Sequence, residues 1–102
     1  MTDKLKLSIS FGTSTETTQD HTSALKLWRA VIAQAMVDAS SGHKHDRLPV
    51  TRWLLHDDFE VVCGLAQLEP QPIRKILAEL LHEHPIRAQV MSKVLVQQIE
   101  SL

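Results

Sequence analysis

Histidine, cysteine and carboxylate side chains are the residues of this chain that could bind a metal or catalyse a reaction. Its six histidines include two pairs spaced two residues apart, His43 with His45 and His82 with His84. In a helix this spacing puts the two imidazoles on different faces, so a single ion does not readily bind both. Neither pair has a cysteine partner of the kind found in many zinc sites. The sequence therefore predicts surface histidines and no native metal site.

The one thiol nucleophile that the chain offers is Cys63. It falls on the apolar side of a predicted helix, where a free cysteine behaves as a small hydrophobic residue. His56 is near in sequence, but no third group that would orient it is apparent. The adjacent acids Asp57 and Asp58 are better explained as helix-capping residues than as a catalytic pair. No glycine-rich phosphate loop is present. We therefore expect neither an enzyme nor a cofactor.

Polar and basic side chains on one predicted helix offer a different chemistry, which is hydrogen bonding to DNA. Glutamine can form two hydrogen bonds with adenine and arginine two with guanine, so Gln71 and Arg74 are the predicted base readers. Lys75 is expected to contact phosphate, together with arginines elsewhere that flank the same face, namely Arg47, Arg52 and Arg87. The predicted DNA-binding residues are Glu69, Gln71, Arg74, Lys75 and Ala78.

Two amphipathic helices joined by a tight turn are predicted to position these side chains. Cys63 fills the place inside the first helix where the crossing of the second helix requires a small residue. Gln67 stands where the turn often holds a glycine in the left-handed conformation, and keeping that conformation costs glutamine about 1 kcal/mol. The other apolar residues of the pattern are Val62, Ala66, Leu68, Ile73 and Ile76.

Over about 20 residues this spacing resembles the helix-turn-helix superfamily of transcription regulators. Trp53-Leu54, Asp58-Phe59, residues 62–66 and Ile73-Arg74 are also similar to small phage-like or mobile-element proteins of proteobacteria. The resemblance implies a small transcriptional regulator that binds DNA sequence-specifically, with its second helix in the major groove. Such proteins often dimerise so that two helices meet successive half-sites, so we expect a homodimer on double-stranded DNA.

The rest of the chain is predicted to comprise an N-terminal arm and linker, residues 1–23, and a helical domain, residues 24–102. Apolar and polar residues alternate from Leu5 to Phe11, which predicts a short strand or arm. Apolar residues at helical spacing predict that the domain is all-α, with four to five short helices that include the helix-turn-helix.

Capping residues and prolines predict where these helices begin. Thr22 or Ser23 is expected to cap the first helix, and the polar residues 43–48 are expected to form a loop. Asp57 and Glu60 match a capping box at the start of the third helix. The predicted first residues are Ala24, Pro49, Asp58, Pro70 and Pro85.

Charge and composition limit the choice of function. The formal net charge is −1, which weakens the DNA prediction because lysine and arginine supply much of the affinity for phosphate. Glu69, Glu79 and Glu83 add negative charge on or near the reading helix. With a single cysteine, no signal peptide between Met1 and Phe11 and no run long enough to span a bilayer, we expect a cytoplasmic protein that does not enter membranes.

The alternative is a helical protein-interaction module, an adaptor or anti-factor that holds a partner protein and does not bind DNA. The near-zero net charge and Gln67 favour this alternative, whereas the spacing of the apolar residues favours DNA. The last helix carries a broad apolar stripe, which either closes the core or forms a dimer interface. The stripe comprises Val90, Met91, Val94, Leu95 and Ile99.

Overall fold

The computed structural model describes the backbone of residues 17–102 and the side chains of residues 22–102. The strand predicted between Leu5 and Phe11 lies outside these residues. Helices are the only regular secondary structure of the described residues, which confirms the all-α prediction, and none of these helices is both long and apolar enough to cross a membrane. The five helices are α1 (Thr17–Ala39), α2 (Lys44–Leu54), α3 (Asp58–Leu65), α4 (Pro70–His82) and α5 (Pro85–Glu100).

Helix α1 is the central element, because it packs against each of the other four helices and most extensively against α5. Its inward stripe includes Ile32, Met36 and Ala39, all fully buried and spaced as one face of a helix requires. Helices α2, α3 and α4 pack on one another and on α1, whereas α5 contacts only α1 and α4. Helices α3 and α5 therefore occupy separate parts of the surface.

The start of α1 differs from the prediction. The helix begins at Thr17, ahead of the expected start at Ala24, so the predicted caps Thr22 and Ser23 lie inside it. The sequence has no apolar stripe before Leu25. A helix that is already nucleated can nevertheless extend, because each added residue gains one backbone hydrogen bond. Periodicity alone does not detect such an extension. The predicted end after Ala39 is confirmed.

The start of α2 was also predicted wrongly. The helix begins at Lys44 instead of Pro49, and Pro49 lies in its interior. The Ser41 hydroxyl donates to the carboxylate of Asp46 at 2.7 Å and accepts a hydrogen bond from the His43 N–H at 3.0 Å. Asp46 also puts negative charge in the first turn, where the helix dipole favours it. These polar contacts fix a first turn that carries no apolar signal.

Helix α3 begins at Asp58 as predicted, but the expected capping box does not form. Asp57 has helical φ and ψ angles and makes no side-chain cap hydrogen bond. Glu60 pairs with Arg74 on α4 instead of reaching back to the start of its own helix. The Asp58 N–H is directed at Nδ1 of His56, 3.5 Å away. Helices α4 and α5 begin at Pro70 and Pro85, as the sequence predicts.

Candidate functional site

The turn between α3 and α4 ends α3 with a left-handed residue. Gln67 has φ of 57° and is the only non-glycine with positive φ among the described residues. The Leu68 N–H donates to the Cys63 carbonyl at 2.9 Å, and the Gln67 N–H donates to the Gly64 carbonyl at 3.0 Å. These two bonds form a Schellman motif, which ends many helices of unrelated function. The predicted conformation of Gln67 is thus confirmed, but the turn does not by itself identify a DNA-binding motif.

Packing beneath this turn follows the predicted pattern. Cys63 and Ala66 are fully buried and Ile73 is buried, while Leu68 and Ile76 are partly buried against the same cluster. Burial raises the pKa of the Cys63 thiol above its usual range, and the nearby positive charge of Arg74 lowers it by less. Cys63 is therefore held as a neutral thiol and serves as a small core residue.

Arg74 does not extend from α4 toward solvent. Its guanidinium lies 4.7 Å from the centre of the Phe59 ring and donates a hydrogen bond to the Leu54 carbonyl oxygen. It also pairs with the Glu60 carboxylate at 3.3 Å. A base contact would require Arg74 to release these three partners. The geometry therefore counts against the base-reading role predicted for Arg74 and assigns the side chain to the packing of α2, α3 and α4.

Arg74 is one of three arginines that bind carbonyl oxygens at helix ends. Arg29 on α1 donates to the carbonyl of Ala66 after α3, at 3.0 Å. Arg47 on α2 donates to the carbonyl of Ser41 after α1, at 3.3 Å. The last carbonyls of a helix have no partner within it and carry partial negative charge, so a cation is favoured there. Arg47, predicted to contact phosphate, is thus also engaged within the protein.

The outer side of α4 holds the remaining predicted DNA-binding residues. Glu69, Gln71 and Lys75 are exposed, and Ala78 is half-buried. Glu79 is exposed four residues after Lys75, which places the two opposite charges on the same side of the helix. The structure thus brings one available cation and two carboxylates to this surface, so the surface is not basic.

Helix α3 presents an apolar and acidic surface to solvent. Val61 and Leu65 are 58% and 46% exposed, and both lie on the side opposite the buried Phe59 and Cys63. Gly64 lies beside them, and a Cβ added to it would meet no atom within 4 Å. We define the α3 face as Val61, Gly64 and Leu65 with the exposed carboxylates of Asp57 and Asp58.

Helix α5 presents an apolar surface flanked by positive charge. Ile86, Val90 and Val94 are 69%, 62% and 52% exposed and recur every four residues, so they form one ridge. By helical spacing Arg87 and Lys93 lie on either side of it, and both are exposed. We define the α5 face as these five residues.

The exposed ridge divides the stripe predicted for α5 between the two sides of the helix. Of the predicted stripe, Ile99 is buried and Met91 and Leu95 are partly buried, but Val90 and Val94 point outward. The small residues Ala88 and Ser92 take the inward positions instead. Small side chains let α5 approach α1 closely, which leaves the larger valines on the solvent side.

Two of the surface cavities that border α1 lack the character of a small-molecule site. A shallow groove of about 310 Å³ between α1 and α2 is lined chiefly by Val31, Ala35, Pro49, Val50 and Trp53. A second cavity of about 570 Å³ lies between α1 and the end of α5. Ligand sites combine an apolar wall with a few convergent polar groups and shifted pKa values, and neither cavity contains a group with a shifted pKa.

The histidine pairs do not form a metal centre in the described part of the chain. The rings of His43 and His45 lie 5.5 Å apart, closer than helical spacing predicts, because His43 precedes α2 in an extended conformation. No three histidine, cysteine or carboxylate side chains of the described residues are arranged as ligands of one ion.

A comparison with protein-family models, curated proteins and solved structures found no match to this chain.

Proposed function

We propose that this protein is a protein-interaction module that binds its partner through the exposed α3 and α5 faces. The observation that carries the proposal is the ridge of Ile86, Val90 and Val94, which stays in solvent although α5 is docked on the core. Covering a half-exposed aliphatic side chain contributes about 1–2 kcal/mol. Association with a partner that covers such a contiguous apolar ridge is therefore favourable.

Charge also favours a protein partner over DNA. In a helix-turn-helix complex the first helix crosses the phosphate backbone. Here that helix is α3, and exposed carboxylates lie at its start, Asp57 immediately before the helix and Asp58 in its first turn. These carboxylates would repel phosphate, while Arg74 is held by Leu54 and Glu60. The arrangement suits apolar contacts framed by salt bridges with a partner protein.

Site-specific photo-crosslinking in the native host cell tests this proposal. A photoreactive amino acid is placed at Val61 or Val90, and the matched control positions are Gln71 and Lys75 on the exposed side of α4. We expect discrete protein adducts from the first two positions and none from the controls. Adducts to DNA from Gln71 or Lys75, with no protein adduct at Val61 or Val90, would overturn the proposal.

DNA binding through α4 is the second candidate function. It is favoured by the pairing of α3 and α4 across a left-handed Gln67, with Gln71 and Lys75 exposed at the start and middle of α4. In this proposal Gln71 contacts bases together with Glu69 and Ala78, and Lys75 contacts phosphate. Arg74 positions the helix by its contacts with α2 and α3.

Salt dependence separates this second candidate from a protein-interaction role. DNA retention in a mobility-shift assay should fall steeply with added salt, because phosphate contacts release counterions. Lys75→Ala should weaken binding to all sequences alike, whereas Gln71→Ala should reduce sequence preference. Lys93→Ala, on α5, is the matched control. Retention that neither α4 variant changes would rule out a reading role for α4.

A further inference from the structure

We infer that the α3 face binds the α5 face of a second copy of this chain, so that each contact between copies joins two different faces. The inference rests on the proposed interaction function and identifies its partner. It follows from four observations on these two surfaces: their charge, their separation, their length and an unexplained glycine.

Charge decides which faces can pair. Pairing two α5 faces would bring Arg87 and Lys93 of one copy against the same cations of the other. Pairing two α3 faces would oppose the carboxylates of Asp57 and Asp58. Pairing α3 with α5 joins apolar ridges and places opposite charges around them, which favours this arrangement over either symmetric one.

The two faces are not available to each other within one molecule. Helices α3 and α5 make no contact, since both rest on α1 and α4 at separate places. Contact between complementary faces therefore requires a second copy.

The two faces also have matching lengths. The α3 face runs from Asp57 to Leu65 and the α5 ridge from Ile86 to Val94, so at 1.5 Å per residue each extends about 12 Å. Val61 and Leu65 span about 6 Å of this length and can pack against part of the ridge, while the two carboxylates lie beside the remainder. Side chains on two such helices can interdigitate in the manner of packed helix pairs.

Gly64 supplies the fourth observation. It lies inside α3, where glycine costs about 1 kcal/mol relative to alanine. Nothing in the described part of the protomer requires it, because an added Cβ would meet no atom within 4 Å and its φ is not positive. Beside Val61 and Leu65 it leaves a gap in the helix surface that a side chain from α5 of a second copy can enter.

Sedimentation velocity on the purified full-length chain tests the inference with one variant of each face. Val61→Asp removes the α3 face and Val90→Asp removes the α5 face, and each should lower the association constant by about tenfold or more. A mixture of the two variants should recover association, because the intact α5 face of the first can bind the intact α3 face of the second. Leu27→Asp, an exposed position on α1, is the control and should associate as the wild type does.

The outcomes separate this inference from its rivals. A Val61→Asp variant that associates like the wild type, with Val90→Asp monomeric and no recovery on mixing, would show symmetric α5 pairing and overturn the inference. A monomeric wild type would also overturn the inference. In that case, photo-crosslinks from Val61 and Val90 to a different protein would still support the proposed function. Circular dichroism checks folding, and Leu65→Asp and Val94→Asp replace a variant that does not fold.

Discussion

Arg74 on α4 donates a hydrogen bond to the carbonyl oxygen of Leu54, the last residue of α2. This contact joins two helices that are separated in sequence by the whole of α3. The same guanidinium lies over the Phe59 ring and pairs with Glu60, so one side chain connects three helices. The residue that the sequence favours for reading DNA is thus a central contact of the fold.

Replacing Arg74 should therefore destabilise the protein whether or not DNA is present. We expect Arg74→Met to lower the free energy of unfolding by about 1–3 kcal/mol, because a charged hydrogen bond to a helix-end carbonyl is lost while the apolar stem is kept. Chemical denaturation followed by circular dichroism measures the change. Lys75→Met, at the next position on the exposed side, should leave stability within about 0.5 kcal/mol of the wild type. Equal effects at the two positions would contradict the structural role of Arg74.

Gln67 should tolerate glycine better than a glutamine inside a helix does. Its φ of 57° is a conformation that glycine adopts without strain. We expect Gln67→Gly to raise the free energy of unfolding by up to about 1 kcal/mol. Gln34→Gly, inside α1, should lower it by about 1 kcal/mol through lost helix propensity. Urea midpoints of the two variants test the opposite signs, and a loss at both positions would argue against a left-handed Gln67.

Gly64→Ala should stabilise the monomer. The position is helical, and an added methyl group meets open space, so the change should gain about 1 kcal/mol from propensity. Thermal unfolding of a dilute sample measures it. Gly42→Ala is the comparison, since Gly42 lies between helices and its added Cβ would just contact Pro85 at 4.0 Å. A destabilised Gly64→Ala monomer would show that the protomer itself requires glycine there.

The buried thiol of Cys63 gives stability a defined pH dependence. Burial holds the pKa of this thiol above its usual range in the folded state, so the unfolded chain ionises first as pH rises. The contribution is therefore complete below the pKa of an unfolded thiol, about 8.5, and is lost progressively above it. We expect the wild type to lose more stability than Cys63→Ala between pH 8 and pH 10. Parallel curves for the two proteins would contradict this account.

The sequence predicts the helices of this fold where their buried faces carry apolar residues at helical spacing. The stripes of α1, α3 and α4 were predicted because Ile32, Phe59 and Leu77 recur with other apolar residues at helical spacing, and all three are fully buried. The first turn of α2 was missed because it is fixed by the polar contacts of Ser41 and Asp46 and carries no apolar residue.

The sequence could not predict the roles of residues that depend on tertiary contacts. Arg74 binds Leu54 and Glu60, which are distant along the chain, so no local pattern distinguishes an arginine that faces DNA from one that faces a helix end. The helical period alone left open whether the stripe that contains Val90 closes the core or forms a dimer interface. Only the packing of α5 on α1 shows that the small Ala88 faces the core and that Val90 stays in solvent.

The central place of α1 has a consequence for the motions of the molecule. Because the other four helices all rest on it, none of them can keep its packing if the middle of α1 opens. The amides from Ile32 to Ala39 should therefore exchange with solvent deuterium only through global unfolding, whereas those at the end of α5 exchange through local fraying. Binding at the α3 face should then slow exchange there and also slow the globally exchanging amides of α1, because a partner that binds only the folded state raises the free energy of global unfolding.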